Sequence, residues 1–184
     1  MTQFSRDLTP RGSYYFNVRL KDHRSDLLTH EINALADATR KTMARYPFQI
    51  DAICILPAEI LTVWTLPDGD TNTATRWSML KSLFQNALPE WDRSIPFHLR
   101  DGENRVWQRR MSERRLRGRY DFDNHCTHIH NAAFKAGLVH QPDLWPHCSL
   151  HSSVISAFSD PAATRRMGSL SVWMAGRNGL SASG

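Results

Sequence analysis

Two apolar runs, residues 48–56 and 59–66, are separated only by Pro57 and Ala58. The first run alternates between apolar and polar residues and then becomes apolar throughout, which is typical of a strand entering the middle of a sheet. Parallel strands need a connection of about a dozen residues or more, so a link this short joins antiparallel neighbours. The chain is therefore predicted to fold around a sheet that contains an antiparallel hairpin.

One more strand and two helices follow from the periodicity of the flanking segments. Residues 14–21 alternate between apolar and polar side chains, as in a half-buried strand. Apolar positions recur at helical spacing over residues 28–43 and 77–88, and a proline lies just beyond each segment. Both segments are predicted to be amphipathic helices.

The second half of the chain contributes a short strand and a third helix. Residues 105–119 contain one short edge strand, and a helix is predicted from a cap at Asp121 to about Ala136. Gly137 then fits the left-handed position that ends a helix. This order of elements predicts an α+β, ferredoxin-like fold in which helices cover an antiparallel sheet of about four to five strands.

Length and composition fit one domain with a tail. The chain has 184 residues, 41% of them hydrophobic, and three cysteines without the spacing of a zinc site or a disulfide framework. Residues 1–12 are predicted to form an N-terminal arm, and residues 156–184 a loosely ordered tail of small and polar residues. Neither a membrane span nor a secretion signal is present, so we expect a cytoplasmic protein without a membrane partner.

The positive charge is concentrated in one segment. The formal net charge is +5, and most of the basic residues are arginine, whose planar guanidinium matches phosphate oxygens and base edges. Nucleic acid is therefore a candidate partner. One acid, Glu113, lies within residues 105–119 among seven arginines: Arg105, Arg109, Arg110, Arg114, Arg115, Arg117 and Arg119. A solvated charged loop is the alternative interpretation of this segment.

Five segments resemble the REP-associated tyrosine transposases, which carry the HUH endonuclease fold. The matching segments are YYFNVRLKDHRSDLL, YPFQIDAICILP, VWTLPDGDTNTATRWSMLKSLFQNALP, VWQRRMSE and IHNAAFKAGLVHQPDLWPHCSLHSSV. They occur in the family's order over roughly residues 13–154. The resemblance implies an HUH-fold transposase domain over residues 13–155 and a DNA partner, either hairpin-forming or palindromic.

The resemblance also implies where a catalytic site belongs. In the family, a His-apolar-His pair on a strand holds a divalent metal, a helix tyrosine attacks the phosphodiester, and a polar residue one turn later completes the metal site. The two histidines fall on Glu59 and Leu61, the tyrosine on His128 and the last ligand on Ala132. A leucine has no lone pair for an ion, so we expect no metal and no catalytic residue here. A shift of one residue supplies Asn131 as a ligand, but no alignment supplies the tyrosine.

Loss of cleavage does not remove DNA binding, because phosphate contacts and base stacking use other surfaces. We therefore expect a catalytically inactive, transposase-derived protein that binds DNA as a regulatory factor, without a cofactor, as a monomer or homodimer. The alternative is an active transposase, a single-strand DNA endonuclease that uses non-standard residues with Mg²⁺ or Mn²⁺. A third alternative is a structural module that has lost DNA binding as well.

The arginines of residues 105–119 are the first DNA-binding candidates, and the polar face of the first strand, Tyr15, Asn17 and Arg19, is the second. An ordinary solvent-exposed face is an equally good interpretation of that strand.

Five further expectations concern individual side chains. Glu59 is expected to form a structural ion pair with His125 or His128 in place of a metal site. Tyr120 is expected to pack over the start of the third helix. His128 and His130 are expected to point to different sides of that helix. The core is expected to contain Trp64, Trp77 and Trp107, and DNA contacts are expected from Trp145, His147, Ser149 and His151.

Overall fold

The computed structural model describes residues 12–88 and 106–160. Its centre is a four-stranded sheet in the spatial order β2-β3-β1-β4, with every neighbouring pair antiparallel. The predicted hairpin is confirmed as β2 and β3, whose register places Leu56 opposite Glu59. The strands are β1 Ser13–Arg19, β2 Gln49–Leu56, β3 Glu59–Thr65 and β4 Ser112–Arg115.

The α-helices of the described ranges are α1 Leu27–His30, α2 Ile32–Arg45, α3 Thr73–Ala87, α4 Gly118–His130, α5 Ala132–Lys135 and α6 Ser152–Ser159, and a short 3-10 helix spans Pro142–Leu144. The helix predicted over residues 28–43 is divided at Glu31 into α1 and α2. Asn72 caps α3, since its side chain accepts a hydrogen bond from the backbone N–H of Thr75. None of these helices is long and apolar enough to cross a membrane.

The larger hydrophobic core lies between one face of the sheet and helices α2, α3 and α6. At its centre the rings of Phe16, Trp64 and Trp77 have centroids 4.3 to 5.4 Å apart. Such aromatic pairs contribute about 0.5–1.5 kcal/mol each beyond the area that they bury. Trp107 is fully buried beside Phe84, which confirms the prediction that Trp64, Trp77 and Trp107 are core residues.

Helices α4 and α5 cover the opposite face of the sheet over a smaller apolar cluster. The alternation of strand side chains sends Leu61 and Val63 of β3 toward this cluster. Residues 147–149 run along the outer edge of β2, where Ile55 N–H donates to His147 O (2.9 Å) and Ser149 N–H donates to Ile53 O (2.8 Å). This pairing covers a sheet edge that is otherwise open to association.

The third predicted helix is confirmed in part: it begins earlier than expected and is divided at Asn131 into α4 and α5. α4 starts at Gly118, and Asp121 lies inside its first turn, where the carboxylate accepts the backbone N–H of Arg117 at 2.9 Å. The end matches the prediction: Gly137 has φ +71°, and Leu138 N–H donates back to the Ala133 carbonyl at 3.0 Å. This is the hydrogen bond of a glycine-terminated helix.

The packed domain extends beyond the predicted boundary at residue 155. α6 continues to Ser159, and both Ala157 and Phe158 are buried in the larger core. Residues 156–159 therefore belong to the domain and not to a loosely ordered tail, because Val154, Ala157 and Phe158 recur at the spacing of one helix face. The rest of the predicted tail and residues 1–11 lie outside the described residues.

Candidate DNA-binding surface and degenerate catalytic pocket

The four positions to which the resemblance assigns the family's catalytic residues lie on β3, α4 and α5, where α4 crosses β3 and α5 packs on β2. Leu61 and Ala132 are 4% and 6% exposed and belong to the same apolar cluster, together with Ile129. We refer to this region, with Glu59 and His128 at its rim, as the degenerate pocket. The fold brings Leu61 and Ala132 into one apolar cluster, and Glu59 lies near enough to His128 to act on its charge.

The residues of the degenerate pocket do not fit a divalent cation. Mg²⁺ and Mn²⁺ require oxygen or nitrogen ligands, and neither Leu61 nor Ala132 has one in its side chain. Within residues 12–88 and 106–160, no group of three or more His, Cys, Asp or Glu side chains is placed to hold a metal ion.

Glu59 pairs with an arginine and not with an imidazole, so the ion pair expected with His125 or His128 is wrong. The Nε of Arg19 lies 2.9 Å from Oε1 of Glu59. The two residues are direct cross-strand neighbours in the β1–β3 register, which brings the guanidinium closer than the helix. The Arg19 side chain is 56% exposed, so this ion pair contributes at most about 1 kcal/mol.

The two histidines of α4 pack on Tyr15. The ring centroid of Tyr15 lies 4.8 Å from that of His125 and 6.1 Å from that of His128. His125 is fixed by its Nδ1–H, which donates to the Asp121 carbonyl at 2.8 Å. Burial lowers the pKa of His128, and the charges of Lys135 and His125 lower it further, against an opposing effect of Glu59. These effects favour the neutral form of the His128 imidazole.

The candidates on the first strand are not equally accessible. Tyr15 and Asn17 are half-buried, whereas Arg19 is exposed. Burial raises the pKa of Tyr15, although a hydrogen bond with the Asn17 side chain opposes this, so the phenol stays protonated. The Oδ1 of Asn17 is buried and has no hydrogen-bond partner among the described residues.

The arginines of residues 105–119 divide into two groups, and Arg105 lies outside the described residues. Arg114 pairs with Asp121 at 3.2 Å, and Arg119 pairs with Asp123 at 2.9 Å. The Arg117 backbone N–H, followed by Arg114 and His125, holds the pKa of Asp121 below its usual range. The charges of these two arginines are thus partly neutralised by α4.

The second group has no carboxylate partner within the part of the chain that the structure describes: Arg109, Arg110, Arg115 and Arg117. All four are exposed. Strand alternation separates the arginines of β4, because Arg114 pairs across the sheet with Tyr15 and Arg115 with Tyr14. Arg114 therefore lies on the α4 side of the sheet and Arg115 on the opposite side.

Tyr120 does not pack over the helix start, and that expectation is wrong. Its side chain is 81% exposed. Tyr120 precedes the buried Ile129 by nine positions, which is about two and a half turns of an α-helix, so the two side chains point in opposite directions. The helical period of the sequence could have indicated this orientation.

The segment 145–151 faces the protein. The indole Nε1–H of Trp145 donates to the Ile55 carbonyl at 2.8 Å, and the Ser149 hydroxyl accepts the Ile53 N–H at 3.0 Å. His130 Nε2 lies 3.1 Å from the same hydroxyl, whereas His128 lies beside Tyr15. These contacts confirm that the two histidines point to different sides of α4. They give the segment a structural role at the edge of β2.

Comparison with known proteins gives a consistent result, although no family model matches the chain. A REP-associated tyrosine transposase described from Haemophilus influenzae is 36% identical over 155 residues, which are 84% of this chain and 88% of that protein. Another from Escherichia coli strain K12 is 31% identical over 154 residues, 84% of this chain and 86% of that protein.

Among solved structures, a REP-associated tyrosine transposase bound to a REP hairpin superposes with a TM-score of 0.67 at 31% identity. The match covers 84% of this chain and 86% of that chain. The antiparallel sheet crossed by α4 thus defines the fold class of the HUH-type transposases. The chain belongs to the family of REP-associated tyrosine transposases, which confirms the family and the fold class indicated by the sequence.

Proposed function

We propose that this protein binds hairpin or palindromic DNA without cleaving it and acts as a DNA-binding or transcriptional regulatory factor. The observation that carries the proposal is the combination of an apolar degenerate pocket with exposed arginines that lack acidic partners in the described chain. The hairpin bound by the similar solved structure supports DNA as the partner.

The chemistry of the degenerate pocket supports the loss of cleavage. A bound metal contributes several kcal/mol of charge stabilisation in phosphoryl transfer, and each 1.36 kcal/mol or so changes the rate about tenfold. The side chains of Leu61 and Ala132 supply no ligand atoms, and both are buried in one apolar cluster. We propose that the protein requires no cofactor.

An active enzyme that uses Tyr15 as a displaced nucleophile is the second candidate function. The contact of Tyr15 with His125 and His128 favours it, since an imidazole can accept a proton from a phenol. One observation opposes it: burial raises the pKa of Tyr15, and the hydrogen bond with the Asn17 side chain offsets this rise only in part. A tyrosine nucleophile needs a lowered pKa or a metal partner, and Tyr15 has neither in the described residues.

Phosphate contacts are the source of affinity in this proposal. Each phosphate neutralised on double-stranded DNA contributes roughly −0.9 to the slope of log affinity against log salt. If each arginine without an acidic partner engages one phosphate, the expected slope is about −3 to −4. An exposed neutral surface predicts a slope near zero.

Native gels with a labelled palindromic hairpin, and with a duplex of the same stem sequence, test this proposal. We expect a shifted hairpin band whose affinity falls with salt at the slope given above. The duplex should bind more weakly, because it has the stem of the hairpin but not its loop. Absence of a shift with either DNA at low salt would contradict the proposal and favour a module that no longer binds DNA.

A further inference from the structure

Two of the three cysteines lie opposite each other at the outer edge of the sheet. Cys54 of β2 and Cys148 form an antiparallel bridge, although they are far apart in the chain. Both thiols are free, and both side chains are fully buried in the smaller apolar cluster. We call these two residues the cysteine pair, and residues 147–149 the edge segment.

The backbone hydrogen bonds on either side of the cysteine pair determine its geometry. Ile55 N–H donates to His147 O (2.9 Å), and Ser149 N–H donates to Ile53 O (2.8 Å). These bonds flank the cysteine pair, which therefore occupies a non-hydrogen-bonded position, where facing Cα atoms are about 4.5 Å apart and side chains are closest. A disulfide spans Cα separations of about 4.4–6.8 Å. The cysteine pair can thus be bridged without a shift of the backbone.

The two thiols of the cysteine pair differ in acidity. A hydrogen bond between them raises the pKa of Cys54 and lowers that of Cys148. Backbone hydrogen bonds of Leu150 and Ser149 also lower the pKa of Cys148, against the effect of burial. The thiolate is the nucleophilic form of cysteine, so Cys148 is the sulfur that attacks an oxidant and Cys54 is the sulfur that resolves the product.

The edge segment controls access to the cysteine pair. Besides the two flanking backbone bonds, the Ser149 hydroxyl accepts the Ile53 N–H at 3.0 Å. Three residues at the edge of a sheet separate from it at a lower cost in free energy than a central strand does, because fewer contacts are lost. A small oxidant therefore reaches the cysteine pair by local opening, while the rest of the domain stays folded.

We propose that Cys54 and Cys148 are a reversible disulfide site, oxidised by a peroxide, that ties the edge segment to β2. The Cys148 thiolate attacks one oxygen of hydrogen peroxide, the O–O bond breaks, and the released hydroxide takes up the proton that Cys148 had lost. The sulfur of Cys54 then attacks the resulting sulfenic acid, whose S–O bond breaks as water leaves with the Cys54 proton. Two thiols are oxidised to one disulfide, and one peroxide is reduced to two waters.

Peroxide treatment of the folded, full-length protein tests this proposal. The remaining thiols are then labelled with iodoacetamide under denaturing conditions, and the peptides are mapped by mass spectrometry. We expect a peptide that links Cys54 to Cys148, together with labelled Cys126, because burial and two nearby carboxylates raise the pKa of Cys126 to about 11. Dithiothreitol should return all three cysteines to the labelled form.

The disulfide is also expected to raise the melting temperature. It joins positions that are far apart in the chain and so restricts the unfolded state, which for a domain of this size corresponds to a rise of about 5–10 °C. Cys148→Ala should show no rise after peroxide treatment. Cys126→Ala is the matched control and should keep the rise, since Cys126 packs against the same apolar cluster but lies outside the cysteine pair.

The mapping uses the wild-type protein, so its result does not depend on the folding of any variant. Complete labelling of Cys54 and Cys148 after peroxide treatment would overturn the proposal. A link through Cys126, or a disulfide that forms only in urea, would overturn it as well. None of these measurements involves DNA, so the outcome is separate from that of the proposed function.

Discussion

Replacing Arg76 with methionine is expected to lower the free energy of unfolding by about 3–5 kcal/mol. Arg76 is 2% exposed, and its guanidinium donates to the Asn72 carbonyl (2.7 Å), the Pro47 carbonyl (2.8 Å) and Oδ2 of Asp70 (2.7 Å). Methionine matches the aliphatic stem but leaves all three acceptors without this donor. Urea unfolding followed by tryptophan fluorescence measures the loss.

Arg119→Met is the matched control for Arg76→Met. Arg119 also pairs with an aspartate, Asp123, but its side chain is 66% exposed, so we expect a loss below about 1 kcal/mol.

The ion pair between Arg76 and Asp70 also predicts a pH effect on stability. Its hydrogen bond holds the pKa of Asp70 below the usual range, so this contribution is present above the ordinary pKa and declines as the pH falls through the lowered one. Identical acid denaturation of wild type and Arg76→Met would contradict this assignment.

The double substitution Arg109→Ala/Arg110→Ala is expected to reduce the magnitude of the salt slope for hairpin binding by about 1.8. Both side chains are exposed and have no acidic partner in the described chain, so each has its full charge available for a phosphate. Hairpin affinity at low salt should fall accordingly. Anisotropy titrations over a series of salt concentrations give both quantities.

Arg114→Ala/Arg119→Ala removes the same formal charge and serves as the control. Asp121 and Asp123 already pair with these arginines, so neither guanidinium has its full charge available for a phosphate. We expect a smaller change in slope from this pair. A change as large as that of Arg109→Ala/Arg110→Ala would show that the ion pairs do not govern which arginines contact DNA.

The sheet and the main helices could be predicted because their signals are local. The two-residue link between β2 and β3 requires an antiparallel pair, and Gly137 supplies the left-handed conformation that ends the third helical segment. The apolar character of the catalytic position could also be predicted, since Leu61 could be assigned to the family's metal position by counting from the matched segment. These inferences needed only spacing along the chain.

The pairing of charges could not be read in the same way. The Arg19–Glu59 contact depends on a register between strands that are 40 residues apart, and the Arg114–Asp121 contact depends on how α4 leaves β4. The Arg119–Asp123 pair was visible as a four-residue spacing within a helix, but only if that helix began before Asp121. The early start of α4 thus determined which arginines remain without acidic partners.

Mass spectrometry of the intact protein after incubation with hairpin DNA and Mn²⁺ tests the central claim most directly. The side chains of Leu61 and Ala132 supply no metal ligand to the degenerate pocket, and His128 stands in place of the tyrosine. We therefore expect only the unmodified protein mass, alongside intact DNA. A nucleotide covalently bonded to His128, or to any tyrosine, would contradict the claim that this protein binds DNA without cleaving it.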